Sequence, residues 1–298
     1  MENIDDLKRA TQGAPTYRLK HANVFVSDAG LHYIDYLDPV QDISPAIDYA
    51  QLTAAESSYI ENSLQSNQER FDHQVDLVAG YMAVEGAAVL DIGCGGGLFL
   101  SKLKQRGARV TGIEPSDSRA CYATTRHGIE IKKYPIESEF WQGEYAEFFD
   151  AVTLWDVIEH VNYPFLTLCS AVKVLQPDGL VFIDTPCRDS FYHRVGAFVY
   201  KLSGGRFPLF LNTLYSAHLF GHKQIFATYE LRELMERAGL EVLELRKFHE
   251  LSFPYSFYLK KMFKSDRLVR LLLPLVKLFL TVFPVKNKML VVAHKRPG

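Results

Sequence analysis

Residues 89–99 read VLDIGCGGGLF, a short apolar run that passes through Asp91 into a turn with four glycines. An apolar run that ends in such a turn and is followed by a helical pattern is typical of a buried strand leading into a helix. Glycine lets the chain turn sharply and lets the backbone approach a ligand, because it carries no Cβ. Asp91 adds a carboxylate, which repels a phosphate and attracts an ammonium or sulfonium group. The stretch therefore predicts a nucleotide-type ligand with a positive charge.

The glycine spacing distinguishes this turn from two other nucleotide-binding turns. The dinucleotide fingerprint G-x-G-x-x-G needs a glycine at position 98, where the chain has Leu98. A P-loop needs Gly-Lys followed by Ser or Thr, which this stretch lacks. A glycine-rich turn that binds no ligand is the alternative interpretation.

Short apolar runs alternate with helical stretches from residue 87 to residue 186, which predicts β-α units and a parallel sheet. The predicted strands are Ala88–Ile92, Ala108–Ile113, Ile129–Lys132, Phe149–Leu154, Leu180–Asp184, Glu241–Leu245 and Lys288–His294. Two capping boxes, Thr53 with Glu56 and Ser66 with Glu69, predict helix starts upstream of the sheet. The predicted fold class is α/β with a helical N-terminal region.

Changes of pattern divide the chain into three predicted segments. They are an N-terminal extension with lead-in helices (1–85), a sheet domain with a lid insertion at 187–226 (86–245), and a basic amphipathic segment with a final strand (246–298). The last segment holds 12 Lys or Arg and 2 Asp or Glu, in a chain whose net charge is −2. This asymmetry indicates an anionic or interfacial partner at the C-terminal end.

Composition excludes several classes of protein. With 298 residues, 48% hydrophobic and 23% charged, the chain can form a core and does not have the composition of a disordered protein. The four cysteines have no CxxC spacing and the N-terminus has no secretory pattern, so we expect a cytoplasmic protein. The apolar stretch 268–285 is interrupted by charges and prolines and does not read as a membrane span.

Taken in order, the motifs resemble those of the class I S-adenosylmethionine-dependent methyltransferases. VLDIGCGGGLF is similar to the family's first motif, VTGIEPS (110–116) to its second strand, and FDAVTLWDVIEHV (149–161) to its fourth strand and loop. The resemblance implies a Rossmann-like sheet of seven strands in the order 3-2-1-4-5-7-6, with the last strand antiparallel. It also implies S-adenosylmethionine as cofactor, with Asp91, Gly93, Gly95, Gly97, Glu114, Pro115, Ser116, Glu137, Trp155 and Asp156 as the residues that bind it.

The resemblance gives some of these residues distinct roles. Glu114 would accept both ribose hydroxyls, Pro115 and Ser116 would flank the adenine, and Glu137 would meet the adenine amino group. A solvated loop carboxylate is the alternative for Glu137. Trp155 is interpreted either as a wall beside the adenosine or acceptor or as an ordinary core indole.

Two groups are candidates for catalysis, because methyl transfer to a hydroxyl requires a proton acceptor. Asp156, Glu159 and His160 would share one face of a helix, a spacing similar to the E-x-x-E-H segment of ubiquinone-biosynthesis O-methyltransferases, where those side chains bind a divalent cation. The alternative is that Glu159 and His160 pack and cap the next helix. His218 is the second candidate base, with a hydrogen-bonded structural histidine as its alternative.

The acceptor side is predicted from the lid insertion and the C-terminal segment. Many aromatic residues in 187–226 predict an apolar acceptor pocket or the core of a small helical subdomain. Residues 255–284 form a basic amphipathic pattern, with Leu268, Leu271, Leu272, Leu275, Val276 and Phe279 on one face and a kink or a second helix expected at Pro274. This segment either contacts a membrane peripherally or docks on its own domain or a second copy.

The sequence therefore predicts an S-adenosylmethionine-dependent methyltransferase that acts on oxygen of a small-molecule, lipid or glycan acceptor. A non-catalytic cofactor-binding regulator and a membrane-associated scaffold are the alternatives. No nucleic-acid motif accompanies the basic segment, so a nucleic-acid partner is not expected. The sequence gives no indication of the oligomeric state.

Overall fold

The computed structural model describes residues 13–27, 30–39, 52–208, 211–251, 255–263, 265–283 and 285–296. The chain forms two compact units. Unit 1 comprises Met1–Asp38, Thr185–Leu231 and Leu245–Leu290, and unit 2 comprises Pro39–Asp184, Arg232–Glu244 and Val291–Gly298. The whole insertion 187–226 and most of the basic segment therefore belong to the same unit as the N-terminal strands. Residues 264 and 284 of the predicted membrane-contact segment lie outside the described residues.

The described residues contain both strands and helices in alternation. The strands are β1 (Tyr17–Arg18), β2 (Asn23–Val26), β3 (His32–Ile34), β4 (Ala88–Ile92), β5 (Arg109–Ile113), β6 (Glu130–Lys132), β7 (Phe149–Trp155), β8 (Leu175–Pro186), β9 (Gln224–Ile225), β10 (Leu240–Phe248) and β11 (Lys288–Lys295). The helices are α1 (Ala54–Ser66), α2 (Gln68–Tyr81), α3 (Leu98–Gln105), α4 (Asp117–His127), α5 (Glu139–Glu144), α6 (Pro164–Val174), α7 (Phe191–Leu202), α8 (Leu211–Leu214), α9 (Thr228–Arg237), α10 (Tyr255–Met262) and α11 (Asp266–Val282).

The larger sheet has seven strands in the order β10-β11-β8-β7-β4-β5-β6. When only the seven strands of this sheet are numbered in chain order and the sheet is read from β6 to β10, this is the predicted order 3-2-1-4-5-7-6, which is confirmed. The five strands from β8 to β6 run parallel to their neighbours. The pair β10 and β11 is antiparallel, because Asn287 donates its N–H to the Phe248 carbonyl at one end and Arg296 donates to the Gly239 carbonyl at the other, both at 3.0 Å.

The core of unit 2 forms around β4, all five residues of which are buried. This burial on both faces explains why the strand reads as a continuous apolar run, as expected for the middle of a parallel sheet. Phe99 and Leu100 of α3 pack into the same core cluster as Val89, together with Val75 and Val78 of α2. The carboxyl ends of β4, β5 and β7 therefore meet at one edge of the sheet, and the glycine turn begins there.

Unit 1 contains a smaller sheet in the order β1-β2-β3-β9. β2 and β3 form an antiparallel pair, and β9 pairs antiparallel with β3 through His32 with Ile225. Val24, Ile34, Ile225 and Tyr215 form its buried cluster. β2 is thus an inner strand of this sheet, with Val24 in its core.

The two predicted capping boxes have different outcomes. Thr53 and Glu56 form the box that begins α1: the Glu56 N–H donates to Thr53 Oγ1 at 3.2 Å, and the Thr53 N–H donates to Glu56 Oε2 at 2.9 Å. The box at Ser66 is wrong. Ser66 is the last residue of α1, and its hydroxyl donates to the Asn62 carbonyl at 2.7 Å. The Ser66 side chain therefore bonds within α1, and α2 begins after Asn67 with no side-chain cap.

α11 continues through Pro274 as one helix of 17 residues. No second helix starts at Pro274, and the kink that was the other expected outcome stays a prediction. Among the described residues, no helix is both long enough and apolar enough to cross a membrane.

Candidate functional site

The glycine turn after β4 has a left-handed backbone at Gly93 (φ 76°), Gly95 (φ 55°) and Gly97 (φ 78°). A Cβ at Gly93 would lie 2.6 Å from Val157 Cγ2, and one at Gly97 would lie 2.8 Å from Ala123 Cβ. These two glycines are required by packing within the protein. A Cβ at Gly95 would meet no atom within 4 Å. The backbone at Gly95 therefore borders open space, as a surface that receives a ligand must.

Glu114 directly follows β5 and is held by two backbone amides. The Gly95 N–H donates to its Oε2 and the Ser116 N–H donates to its Oε1, both at 2.8 Å. The carboxylate is only 4% exposed, and this burial raises its pKa. Each oxygen retains a lone pair after these bonds. The carboxylate is thus fixed beside Gly95 with two acceptor positions left, which suits a vicinal diol.

Asp91 lies near the end of β4 and is almost fully buried. Its Oδ1 accepts a hydrogen bond from Thr153 Oγ1 at 2.7 Å. The pKa of Asp91 is raised to about 8, mainly by burial and also by the Glu114 and Asp184 carboxylates, while the hydrogen bond from Thr153 and the charge of Arg70 oppose the rise. The site therefore carries more negative than positive charge and favours a cation, since a cation beside Asp91 stabilises its ionised form.

Arg70 of α2 is a site residue that the sequence analysis missed. Its Nη2 lies 2.7 Å from Asp156 Oδ2 and 3.4 Å from Asp184 Oδ2. Gln74, one helical turn later, donates to Asp184 Oδ2 at 3.4 Å. Asp184 also accepts the Asp156 N–H at 2.9 Å. The i, i+4 spacing of Arg70 and Gln74 was the available signal, but it does not tell which sheet edge the helix faces.

Helix α1 also approaches the glycine turn, a second feature that the sequence did not reveal. A Cβ at Gly96 would lie 2.9 Å from Leu64 Cδ1 and 3.0 Å from Ile60 Cγ2, both on α1. Ile60 is correspondingly buried. Most of α1 precedes the region in which motifs are recognisable. The N-terminal segment therefore supplies part of the wall around the turn.

Glu137 and Trp155 have contacts within the protein. Glu137 is half-buried and accepts a hydrogen bond from Thr167 Oγ1. The Trp155 indole lies 5.5 Å from the Phe99 ring and 6.4 Å from the Phe182 ring, centroid to centroid. It packs against the core cluster of unit 2, as the core-indole interpretation requires. Contact of either residue with a cofactor stays a prediction.

The predicted helical face of Asp156, Glu159 and His160 does not form. The segment that follows β7 consists of turns, and Asp156 has φ 52°. Its carboxylate is paired with Arg70, while Glu159 is fully buried and its Oε1 lies 3.9 Å from His160 Nε2. Glu159 is buried, as the packing part of the alternative requires, and capping of α6 by Glu159 or His160 stays a prediction. A base role for His160 stays a prediction.

His218 lies in unit 1, in the turn-rich stretch before β9. Its ring is exposed, and its Nδ1 lies 2.9 Å from the Leu219 carbonyl oxygen. A Cβ at Gly221 would lie 2.2 Å from the Ser216 carbonyl oxygen, so only glycine fits this turn. The following Lys223 is fully buried and its Nζ lies 2.8 Å from Asp38 Oδ2. This ion pair fixes one end of the stretch that carries His218.

The described aromatic residues of 187–226 include buried, half-buried and exposed side chains. Tyr215 and Phe226 are buried, and Tyr215 belongs to the core cluster of unit 1. Phe191, Phe198, Phe207 and Phe220 are between 42% and 66% exposed. The buried rings support the subdomain-core interpretation. An acceptor pocket formed by these aromatic residues stays a prediction.

The residues around the turn fit S-adenosylmethionine. Open space borders Gly95, and beside it lie a rigid carboxylate suited to a ribose and a buried acid suited to a cationic neighbour. Such a cofactor has both a diol and a sulfonium. The Glu114 carboxylate can accept the diol, Asp91 can lie near the sulfonium, and the space beside Gly95 can receive the cofactor.

Comparison with known proteins agrees with this assignment. A sequence model described as a methyltransferase domain matches residues 64–245. The chain is 28% identical over 214 residues to the ubiquinone biosynthesis O-methyltransferase of Aeromonas salmonicida, covering 70% of this chain and 85% of that protein. In fold it is similar to a putative methyltransferase from Bacillus halodurans (TM-score 0.51, 15% identity, covering 76% of this chain and 98% of that one). It is also similar to magnesium protoporphyrin IX methyltransferase from Synechocystis (TM-score 0.50, 13% identity, covering 80% and 87%). The chain therefore belongs to the methyltransferase-domain family and is a class I S-adenosylmethionine-dependent methyltransferase.

Proposed function

We propose that this protein transfers the methyl group of S-adenosylmethionine to an oxygen atom of a small-molecule, lipid or glycan acceptor. The observation that carries the cofactor half is the fixed Glu114 carboxylate beside the open face of Gly95. The choice of oxygen is supported by the O-methyltransferase that matches 70% of the chain.

The residues around the turn would hold opposite ends of the cofactor. Glu114 would accept the ribose hydroxyls, and Asp91 would lie near the cationic part. Arg70 is the nearby cation that can take the cofactor's carboxylate, since it already pairs with the carboxylates of Asp156 and Asp184. When bound, the cofactor supplies a methyl group activated by a positively charged sulfur.

The chain's own contribution to the reaction is alignment, exclusion of water and acceptance of a proton. Charge disperses during methyl transfer from a sulfonium, so a strong electrostatic anchor at the methyl group is not required. An acceptor hydroxyl must lose its proton, and His160 and His218 are the proposed acceptors of that proton. A divalent cation on Asp156 would have to displace Arg70 from it, so we propose that Asp156 does not bind a metal ion.

Product analysis tests the accepting atom. The full-length protein is incubated with methyl-labelled S-adenosylmethionine and paired acceptors that differ only in carrying a hydroxyl or an amine. We expect label in the methyl ether and release of S-adenosylhomocysteine. Label in the methylamine alone would overturn O-methylation. Tight cofactor binding without turnover on any acceptor, including lipid and glycan extracts, would favour the regulator alternative.

A further inference from the structure

Unit 1 carries an exposed apolar surface that spans two helices and that we call the α7–α11 surface. On α11 it consists of Leu268, Leu271, Leu275, Leu278, Phe279 and Val282, which are 38% to 66% exposed. On α7 it consists of Phe191, Phe198 and Leu202, which are 49% to 78% exposed. Isolated exposed apolar residues are normal, but a contiguous group of this size marks an interaction site.

The geometry of α11 shows that this surface is additional to what the fold needs. At about 100° per residue, the residues of the helix fall into three stripes, each roughly 100° wide. One stripe, containing Val269, Leu272 and Val276, is buried or half-buried. The six exposed apolar residues form the second stripe. A helix that only docks on its own domain requires the first stripe and has no use for the second.

The apolar face that the sequence predicts for α11 is divided in the structure into a packed part and an exposed part. Leu272 and Val276 were predicted to share a face with Leu268 and Leu275, but they are half-buried while the other two are exposed. The docked and the interfacial interpretations of the segment are therefore compatible. The buried stripe docks the helix on its own unit, and the exposed stripe is available for an interface.

The exposed stripes of the two helices are in contact. The Phe191 ring of α7 lies 6.4 Å from the Phe279 ring of α11, and the Phe283 ring lies 5.1 Å from Phe279, centroid to centroid. These rings make the apolar surface continuous from one helix to the other.

The charges beside the surface are positive. The third stripe of α11 contains Arg267, Arg270 and Lys277, all exposed, and Arg267 lies next to the apolar stripe. The one acid of this helix, Asp266, is 3.0 Å from Lys260. α7 exposes Arg194 and Lys201 and contains no acidic residue. Long basic side chains beside an apolar stripe can reach anionic headgroups while the stripe enters the boundary of the acyl chains.

We propose that the α7–α11 surface docks this protein on an anionic lipid bilayer. Charge complementarity selects this partner over a second copy of the chain. A symmetric pairing through the same surface would bring the basic residues of α7 and α11 toward those of the other copy. A bilayer that contains anionic lipid instead supplies the opposite charge along the whole surface. This inference does not depend on the acceptor.

Co-sedimentation with vesicles tests the proposal. The full-length protein is mixed with vesicles of phosphatidylcholine alone or with one third phosphatidylglycerol, at low salt and at about 0.15 M salt. We expect binding to the anionic vesicles that weakens with salt. Neutralising Arg267 and Lys201, two exposed basic residues that flank the apolar residues of α11 and α7 (R267Q, K201Q), should reduce partitioning by about fivefold per charge. The triple variant L271Q, L275Q, L278Q should reduce it by at least about tenfold, because these leucines would no longer enter the interface.

Matched variants elsewhere separate a specific surface from general stickiness. Leu166 and Leu243 are also exposed apolar residues, and L166Q with L243Q should leave vesicle binding unchanged. Arg126 and Lys173 are exposed basic residues, and R126Q with K173Q should likewise have little effect. Thermal unfolding and cofactor binding should match the parent protein in every variant, because each changed side chain is exposed. No vesicle binding at low salt, equal loss in the control variants, or a concentration-dependent dimer that the leucine triple variant abolishes would each overturn the proposal.

Discussion

Replacement of Glu114 by Gln is the most direct test of the cofactor site. Each oxygen of Glu114 accepts one backbone N–H at 2.8 Å, from Gly95 and from Ser116. Gln retains only one acceptor oxygen, so its NH₂ group must face one of these N–H donors, and the negative charge toward the ribose is lost. Hydrogen bonds to charged groups contribute about 1.5–3 kcal/mol, so we expect the dissociation constant of S-adenosylmethionine to rise about 10- to 150-fold. Isothermal titration calorimetry measures it.

Folding should be affected less than binding in this variant. Burial of the ionised carboxylate is unfavourable, as its raised pKa shows, and Gln removes that cost while it loses one backbone hydrogen bond. Asp150→Asn is the matched control, because Asp150 lies at the amino end of β7, away from the glycine turn, and an Asn oxygen can still accept the Ala88 N–H at 2.7 Å. We expect less than about a threefold change in affinity for this control. A folded E114Q protein with unchanged cofactor affinity would refute the ribose assignment.

Three other predictions concern cofactor binding and catalysis. Cofactor affinity should rise with pH up to about 8, by at most tenfold per pH unit, because Asp91 is protonated below its raised pKa and a bound cation favours its ionised form. Calorimetry from about pH 6.5 to 8.5 should show this slope. Asp91→Asn should lose the part of the slope that is due to Asp91. Arg70→Ala should weaken cofactor binding about tenfold or more while Arg70→Lys retains part of it, and equal affinities in all three proteins would remove Arg70 from the site. His160→Ala and His218→Ala, measured separately for kcat/KM on the true acceptor, should identify the base by a loss of about 10²- to 10⁴-fold, whereas full activity in both would leave alignment as the only contribution.

The sheet could be predicted from the sequence because its strands are short apolar runs between turn residues. Ala88–Ile92 was predicted with its observed bounds, and the order of the seven strands followed from the family resemblance. β8 begins at Leu175, five residues before the predicted start at Leu180. Residues 176–179, QPDG, read as a turn, and the pairing with β7 shifts register there, between Phe149 and Ala151. The turn-forming residues 176–179 therefore hid the first part of β8, which is a strand because it pairs with β7.

The cofactor turn was also legible, whereas the side chains that approach it from other elements were not. Gly95 and Glu114 follow adjacent parallel strands, so their proximity follows from the sheet. Arg70 and Leu64 come from helices whose orientation is set by packing against the sheet, and helical periodicity alone does not specify it. The failure at Asp156 has a similar cause: i, i+4 spacing implies a shared face only in a helix, and the pairing of Asp156 with Arg70 and Asp184 holds the segment in turns.

The sequence of α11 shows that the helix is amphipathic, but it does not show which of its apolar residues are packed and which are exposed. A helix that is apolar over about two thirds of its circumference looks like one wide amphipathic face, and only the packed structure shows which part is used within the unit. Val269 is buried and Leu271 is 66% exposed, although both are aliphatic and two residues apart. If the exposed stripe served folding, its replacement by Gln would destabilise the protein; because it lies outside the packed stripe, unfolding should be unchanged while membrane binding is lost. That separation of stability from binding is the expected signature of a surface kept for a partner.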